Sequence, residues 1–365
     1  MNQNEVTKTI EAFRSQAKET GVFLPLQEDT EPLFRETVLN GRNVCSRIVL
    51  QPESVFDADG NGAPGAASVK RYCDAVKACC CGIVWIEPTA FTADGREDAR
   101  QFMLTEQTVP QFAALVNAIR ESSRAAHGCP PLVLLTLSHA GRKALSPVCF
   151  TKPESSEDLT PEITDDALLH LIVSCGAAAS LAEQAGFDGI ALCAGDRSLF
   201  GESLAAYHRD GRFGGDFDDR TRFVRDCYTA MRIAAPKLMF TIRLSLSDGI
   251  PQPDGWGMAF ETESHPDVYE PCLLLNILRE LYSVELVSAS VGIPGINWMR
   301  AEEPEDELIR VSRLCTCIAM VDSNLQQDVK LIIPDICGEI PFENLAAGMI
   351  GGEFASFAAY TGFTA

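Results

Sequence analysis

A single closed (β/α)8 TIM barrel is the fold class this sequence predicts, and three observations predict it. Short apolar runs alternate with helical stretches eight times along the chain. The runs are continuous rather than alternating, as parallel strands covered on both faces must be. The first of them, Arg47-Ile48-Val49-Leu50, leads into Gln51-Pro52-Glu53-Ser54, where a doubly wound open sheet would carry a Gly-x-Gly-x-x-Gly phosphate turn. Eight βα units over roughly 300 residues close economically as one barrel.

In order, Asn4 to Lys18 reads as a charged, weakly amphipathic helix in an N-terminal extension of residues 1–30, and the barrel domain takes residues 31–365. After the first strand comes a loop of Asp, Gly, Ala and Pro, then a helix from Lys70 to Cys80 and a strand from Gly82 to Ile86. Thr108 to Ala126 is a long helix with Pro110 in its first turn, a favoured position for proline. Leu132 to Leu137 is a strand, with His139-Ala140-Gly141-Arg142 at its C-terminal end. Thr164 to Ala185 is a helix whose Asp165 and Asp166 complement the dipole at its start. Strand Gly189 to Cys193 follows, then a long excursion rich in charge, glycine and aromatics, which reads as a working loop. Helices Arg220–Ala234, Pro271–Leu281, Pro304–Met320 and Phe342–Gly348 each lead to a strand: Leu238–Leu244, Glu285–Ser288, Lys330–Ile333 and Ala355–Ala359.

Composition excludes several classes. A net charge of −21 argues against nucleic acid as a partner, since phosphate backbones need basic patches. The longest apolar runs, such as Ile190 to Ala194, fall short of a membrane span. The first residues lack the basic-then-apolar pattern of a secretory signal, so a cytoplasmic protein is expected. There are 14 cysteines. Cys79, Cys80 and Cys81 are consecutive and Cys315 and Cys317 two apart, but neither group has zinc-ligand spacing, and no metal is expected. They read as free thiols in a reducing compartment. His127, His170, His208 and His265 have no partner spacing for a metal either, and Glu183 and Asp188 read as solvated residues at a helix end.

The stretch from Gly186 to Phe223 resembles the Old Yellow Enzyme family of flavin-dependent ene-reductases. Gly186, Phe187, Asp188, Gly189, Arg209, Gly214, Gly215, Arg220, Arg222 and Phe223 match its scaffold. So do Arg47-Ile48-Val49 with Pro52, Glu87 through Gly95-Arg96, Leu137 with His139-Ala140-Gly141-Arg142, and Arg243-Leu244-Ser245. The resemblance implies FMN across the barrel mouth, NAD(P)H as reductant and a small electron-poor acceptor. It leaves a homo-oligomer open. Pro52, Glu53, Ser54 and Pro88 match positions near the isoalloxazine, and Arg243 matches the arginine beside the flavin N1–C2=O edge, where a fixed cation stabilises charge that reduction places there. Gly338 would offer backbone N–H groups to phosphate.

The same resemblance marks departures. Thr136 stands where the family has a glutamine for the flavin pyrimidine. Cys193 and Asp196 replace the pair that grips the substrate carbonyl, and Ser198 replaces the proton-giving tyrosine. Tyr360 and Thr361 stand where Gly-Arg clamps the phosphate. The chain stops at Ala365 where the family continues with Asp-Pro and closing helices, which makes a fragment or truncated paralogue an expectation. His139 falls in a structural turn rather than acting as a base, and Glu87 is a strand-end acid without an assigned role. Two functions follow: an FMN-dependent oxidoreductase with an altered acceptor site, or a non-catalytic barrel that keeps the scaffold alone.

Overall fold

A computed structural model describes residues 3–51, 54–152, 159–195, 197–259, 266–292, 307–326, 328–333, 342–349 and 354–356. Eight parallel strands close into a barrel in the order β10-β3-β4-β5-β6-β7-β8-β9. They are β3 (Ile48–Leu50), β4 (Ile83–Ala90), β5 (Leu132–Ser138), β6 (Gly189–Ala194), β7 (Met239–Ser247), β8 (Leu286–Val291), β9 (Lys330–Ile333) and β10 (Phe354–Ser356). Between and around them run α2 (Ala66–Ala78), α3 (Val109–His127), α4 (Asp165–Gln184), α5 (Leu199–Leu204), α6 (Phe217–Ala234), α7 (Tyr269–Tyr282), α8 (Glu307–Asp322) and α9 (Phe342–Met349). The alternation of helix and strand read from the sequence is therefore the observed architecture.

Alternate residues of each strand split into two apolar layers, as the pleat requires. Val49, Ile83, Trp85, Leu134, Ala191, Met239, Leu286 and Ile332 fill the interior. Val84, Ile86, Val133, Leu135, Ile190, Leu192, Ile242 and Leu244 face outward into the helical ring. A hairpin adds to the expected set. An antiparallel hairpin, β1 (Thr37–Leu39) and β2 (Arg42–Val44), turns through Asn40 and Gly41, both at positive φ. Its Leu39 and Val44 join the interior cluster and plug the end where the strands begin. The helix α1 (Gln3–Thr20) docks outside, where Ile10, Ala17, Leu24 and Leu26 pack with Leu308, Val311, Cys315 and Leu345.

Helix α4 is long and apolar enough to cross a membrane, although it holds no single long apolar run. Its apolarity has a packing explanation. Leu168, Leu171, Cys175, Ala178, Ala179 and Ala182 are buried, and at Gly176 a Cβ would stand 3.2 Å from the Ala230 carbonyl oxygen of α6.

The excursion after β6 is more structured than a working loop. It contains α5, buries Phe200 and Phe213, and stacks Phe200 on Phe223 at 5.2 Å. The Arg209 guanidinium donates to Ile163 O and Asp165 Oδ1, each at 2.7 Å, and lies over the Phe150 ring. Arg220 donates to Glu270 Oε1 at 2.7 Å. The two buried arginines of this segment, Arg209 and Arg220, are thus part of its scaffold.

Asp188 is likewise no solvated helix end. It accepts from Arg42 Nη1 at 2.9 Å, Arg120 Nη2 at 2.6 Å and the Val133 N–H at 2.8 Å, tying the hairpin and α3 to the junction of β5 and β6. Asp188→Ala is expected to lower stability by about 2–3 kcal/mol, because charge-assisted bonds are lost and one backbone donor is left unmatched. Urea unfolding measures it, and a loss below about 0.5 kcal/mol, the range of an ordinary surface substitution, would contradict the role.

Candidate active site at the barrel mouth

Strand period and register decide which side chains reach the open end of the barrel. Continuing inward from Val49, Leu134, Ala191, Met239 and Leu286 by steps of two brings Gln51, Thr136, Cys193, Arg243 and Ser288 to the C-terminal side of the interior. Cys193 pairs with Arg243 and Arg243 with Ser288 across β6, β7 and β8. Gln51 Nε2 lies 2.7 Å from Ser288 Oγ and joins β3 to the same ring. This rim is where barrel enzymes keep their chemistry.

In β4 the register shifts between Ile86 and Pro88. The bulge turns Glu87 out of the barrel toward α2 and sets Pro88 beside Thr136. Glu87 is 3% exposed. It accepts from Arg71 Nη2 at 2.6 Å and from the Val55 N–H at 2.9 Å. Burial pushes its carboxyl above the usual range while Arg71 pulls the other way. The strand-end acid therefore anchors the loop that begins near Ser54 and does not enter the mouth. Thr136 is fully buried, and its hydroxyl donates to the Ile86 carbonyl at 2.9 Å, satisfying backbone that the bulge displaces.

The three residues expected at the acceptor site have different fates. Cys193 faces the mouth beside Arg243 and is 5% exposed. Ser198 makes scaffold bonds. Its hydroxyl donates to the Cys193 carbonyl and accepts from the Gly201 N–H at 3.3 Å, capping α5. Asp196 lies outside the described residues. So do Pro52, Glu53, Gly338, Tyr360 and Thr361 among the expected flavin contacts.

His139 sits in the turn the sequence assigns to it. Its Nδ1 accepts from the Gly141 N–H at 3.2 Å, and burial lowers its pKa to about 4, so the ring is neutral at pH 7. Arg142 of the same turn donates to Glu202 Oε1 at 2.6 Å, and Glu202 Oε2 accepts from the Phe150 N–H at 2.9 Å. The turn and α5 are thereby locked together, with Leu199 N–H bonded to the His139 carbonyl at 2.9 Å.

Arg243 stands apart. It is half-buried, and among the described residues nothing accepts from its guanidinium. Nor does the Ser54 hydroxyl have a bonded partner among them. A cation placed inside a barrel mouth without an acceptor is costly unless a ligand or solvent supplies one. A flavin offers carbonyl and ring-nitrogen acceptors along one edge, so Arg243 and Ser54 fit that group. Thr136, whose proton is committed to Ile86 O, does not replace the missing amide.

Two features of the rim were not singled out in the sequence. One is the Gln51–Ser288 pair. The other is a crevice lined by Gly195, Arg197, Ser245, Asp248 and Trp256. Asp248 is 7% exposed, and burial raises its carboxyl to about 6, although Ile250 N–H, Trp256 and Arg197 oppose the shift.

No family model matches the chain. In sequence it is similar to an NADPH dehydrogenase of Clostridium acetobutylicum, 27% identical over 268 residues that span 70% of this chain and 73% of the relative. It is also similar to an NADPH dehydrogenase of Bacillus pumilus, 29% identical over 59% of this chain and 64% of the relative, just under two thirds of that protein's length. In fold it is similar to an Old Yellow Enzyme from Pichia, with a TM-score of 0.68 at 15% identity over 90% of this chain and 83% of the other. A 2-naphthoyl-CoA reductase in complex with 2-naphthoyl-CoA gives a TM-score of 0.73 at 18% identity, covering 90% of this chain and half of that one.

Proposed function

We propose, for a chain that is Old Yellow Enzyme-like in sequence and fold, that it is an NAD(P)H-dependent flavin oxidoreductase of the cytoplasm acting on a small electron-poor acceptor. The observation that carries the reading is Arg243, a cation at the mouth without an acceptor of its own among the described residues. FMN, when bound, supplies the hydride chemistry. Arg243 would hold the edge of the isoalloxazine that gains negative charge, from a backbone position that the strand register sets between Cys193 and Ser288. Ser54 would give its hydroxyl to the same group, on a loop that Glu87 tethers through the Val55 N–H. Cys193 would face the acceptor as a weak donor. Ser198 holds the Cys193 carbonyl and the start of α5, which keeps that strand end in place.

A second reading, a barrel that binds without catalysis, is favoured by one observation. The residues at the amide and proton-donor positions, Thr136 and Ser198, are both spent on scaffold bonds. A flavin titration separates the two. Adding FMN to the purified protein is expected to perturb the visible flavin spectrum at micromolar to sub-millimolar concentrations, and Arg243→Ala is expected to weaken that binding about ten- to hundredfold, the loss of one charged contact. No spectral change at saturating FMN would leave the non-catalytic reading.

A further inference from the structure

We propose that Cys45, Cys80 and Cys129 form a three-thiolate site for a soft, three-coordinate metal ion at the end of the barrel opposite the mouth. Their Sγ atoms all lie within 4.8 Å of one another, and Cys80 Sγ is 3.9 Å from Cys129 Sγ. Spacing in the sequence hides the group, because its members come from three separate connections. Cys45 follows β2, Cys80 lies between α2 and β4, and Cys129 lies between α3 and β5. The expectation of no metal rested on that spacing alone.

The convergence is built into the backbone. At Gly82 a Cβ would stand 2.1 Å from the Ser46 carbonyl oxygen, so only glycine lets the segment after Cys80 pass this close to the one after Cys45. Ser46 Oγ donates to the Cys80 carbonyl at 2.7 Å, and Ser123 Oγ to the Cys129 carbonyl at 2.9 Å. Gly128, at φ +79, ends α3 in a left-handed cap and delivers Cys129 to the cluster. The backbones of Cys80 and Cys129 are thus each held by a neighbouring serine, and all three cysteines are partly exposed, which gives an ion a way in.

The donor set selects the ion. Sulfur is the only donor type in the cluster among the described residues, which disfavours hard cations such as Mg²⁺ and Ca²⁺ and favours soft d¹⁰ ions. Metal–sulfur bonds of ~2.3 Å in a trigonal plane place the sulfurs ~4 Å apart, close to the Cys80–Cys129 separation. Copper(I) accepts such coordination, whereas zinc(II) seeks a fourth ligand. Binding breaks three S–H bonds, forms three metal–sulfur bonds and releases three protons to solvent. No electron is transferred.

The test uses the full chain, reduced and anaerobic, titrated with copper(I) against a chromophoric copper(I) chelator, with zinc(II) in parallel. One equivalent of copper(I) is expected to be retained. Cys45→Ser, Cys80→Ser and Cys129→Ser should each weaken it at least tenfold, while Cys272→Ser, in the core between helix and barrel, should not. Because a variant can lose metal by misfolding, the copper-induced rise in Tm is read beside the circular dichroism of the metal-free protein. The rise should vanish in the three variants while their metal-free spectra match the parent. Unchanged retention in the three variants, an equal loss in Cys272→Ser, or tighter binding of zinc(II) than of copper(I) would overturn the assignment.

Discussion

Replacing Arg71 with alanine is expected to cost about 3–5 kcal/mol of stability at neutral pH, because it strands a buried carboxylate. Glu87 is 3% exposed, and Arg71 is its cationic partner at 2.6 Å. Tyr72 OH and Val55 N–H also bond to the carboxylate, yet neither carries charge. The pH dependence identifies the cause. Glu87 already has a raised pKa in the fold, and without Arg71 it rises further. The folded variant then holds a proton that the unfolded chain, with its carboxylate pKa near ~4.3, has released. Its stability therefore grows as pH falls from neutral toward that value. The destabilisation should be smaller at pH 5 than at pH 8, and Arg71→Ala with Glu87→Gln should recover part of it. Urea unfolding at both pH values decides this, and a pH-independent loss would point to packing alone. Because Glu87 also tethers the loop at Val55, the single variant should bind FMN more weakly under the proposed function.

Asp248→Asn is expected to stabilise the protein at pH 8 by up to roughly 3 kcal/mol, the equivalent of about two pK units. The carboxyl titrates near 6 in the fold because burial opposes its charge. Between the unfolded pKa and that value the folded state binds more protons than the unfolded state, so stability falls as pH rises through this window. Above it the full penalty is present, and below about pH 4 it is gone. Asparagine keeps an oxygen to accept from the Ile250 N–H, which the carboxylate takes at 2.9 Å, but carries no charge to desolvate. The gain should shrink from pH 8 to pH 4 in paired unfolding experiments. A variant that is less stable than the parent at pH 8 would show that the Arg197 attraction outweighs burial.

The barrel was legible because its strands are continuous apolar runs separated by strongly periodic helices, a pattern that local sequence carries. The hairpin carried a local signal too: Asn40-Gly41 is a favoured two-residue turn, and the short strands beside it went unread. Other features depend on partners far along the chain. Nothing near Asp188 reveals Arg42 or Arg120, so a network node looked like a solvated acid. The outward turn of Glu87 follows from a register shift that no residue type announces. Ser198 stands at the proton-donor position of the motif, but a serine just before Leu199-Phe200 is also a helix cap, and its hydroxyl takes that place in the backbone of α5. Arg243 was identified by resemblance, and what the fold adds is that no described neighbour neutralises it.

Closure through β10 has a consequence for how the chain acquires its shape. That strand pairs with β3 on one side and β9 on the other, and Ala355 meets Ile48 although the two are roughly 300 residues apart in sequence. During synthesis β3 and β9 remain bare edges until Phe354–Ser356 has emerged, and an open sheet of parallel strands is a template for a second chain. The net charge of −21 then protects the unfinished sheet, since nascent copies repel one another before their edges can pair.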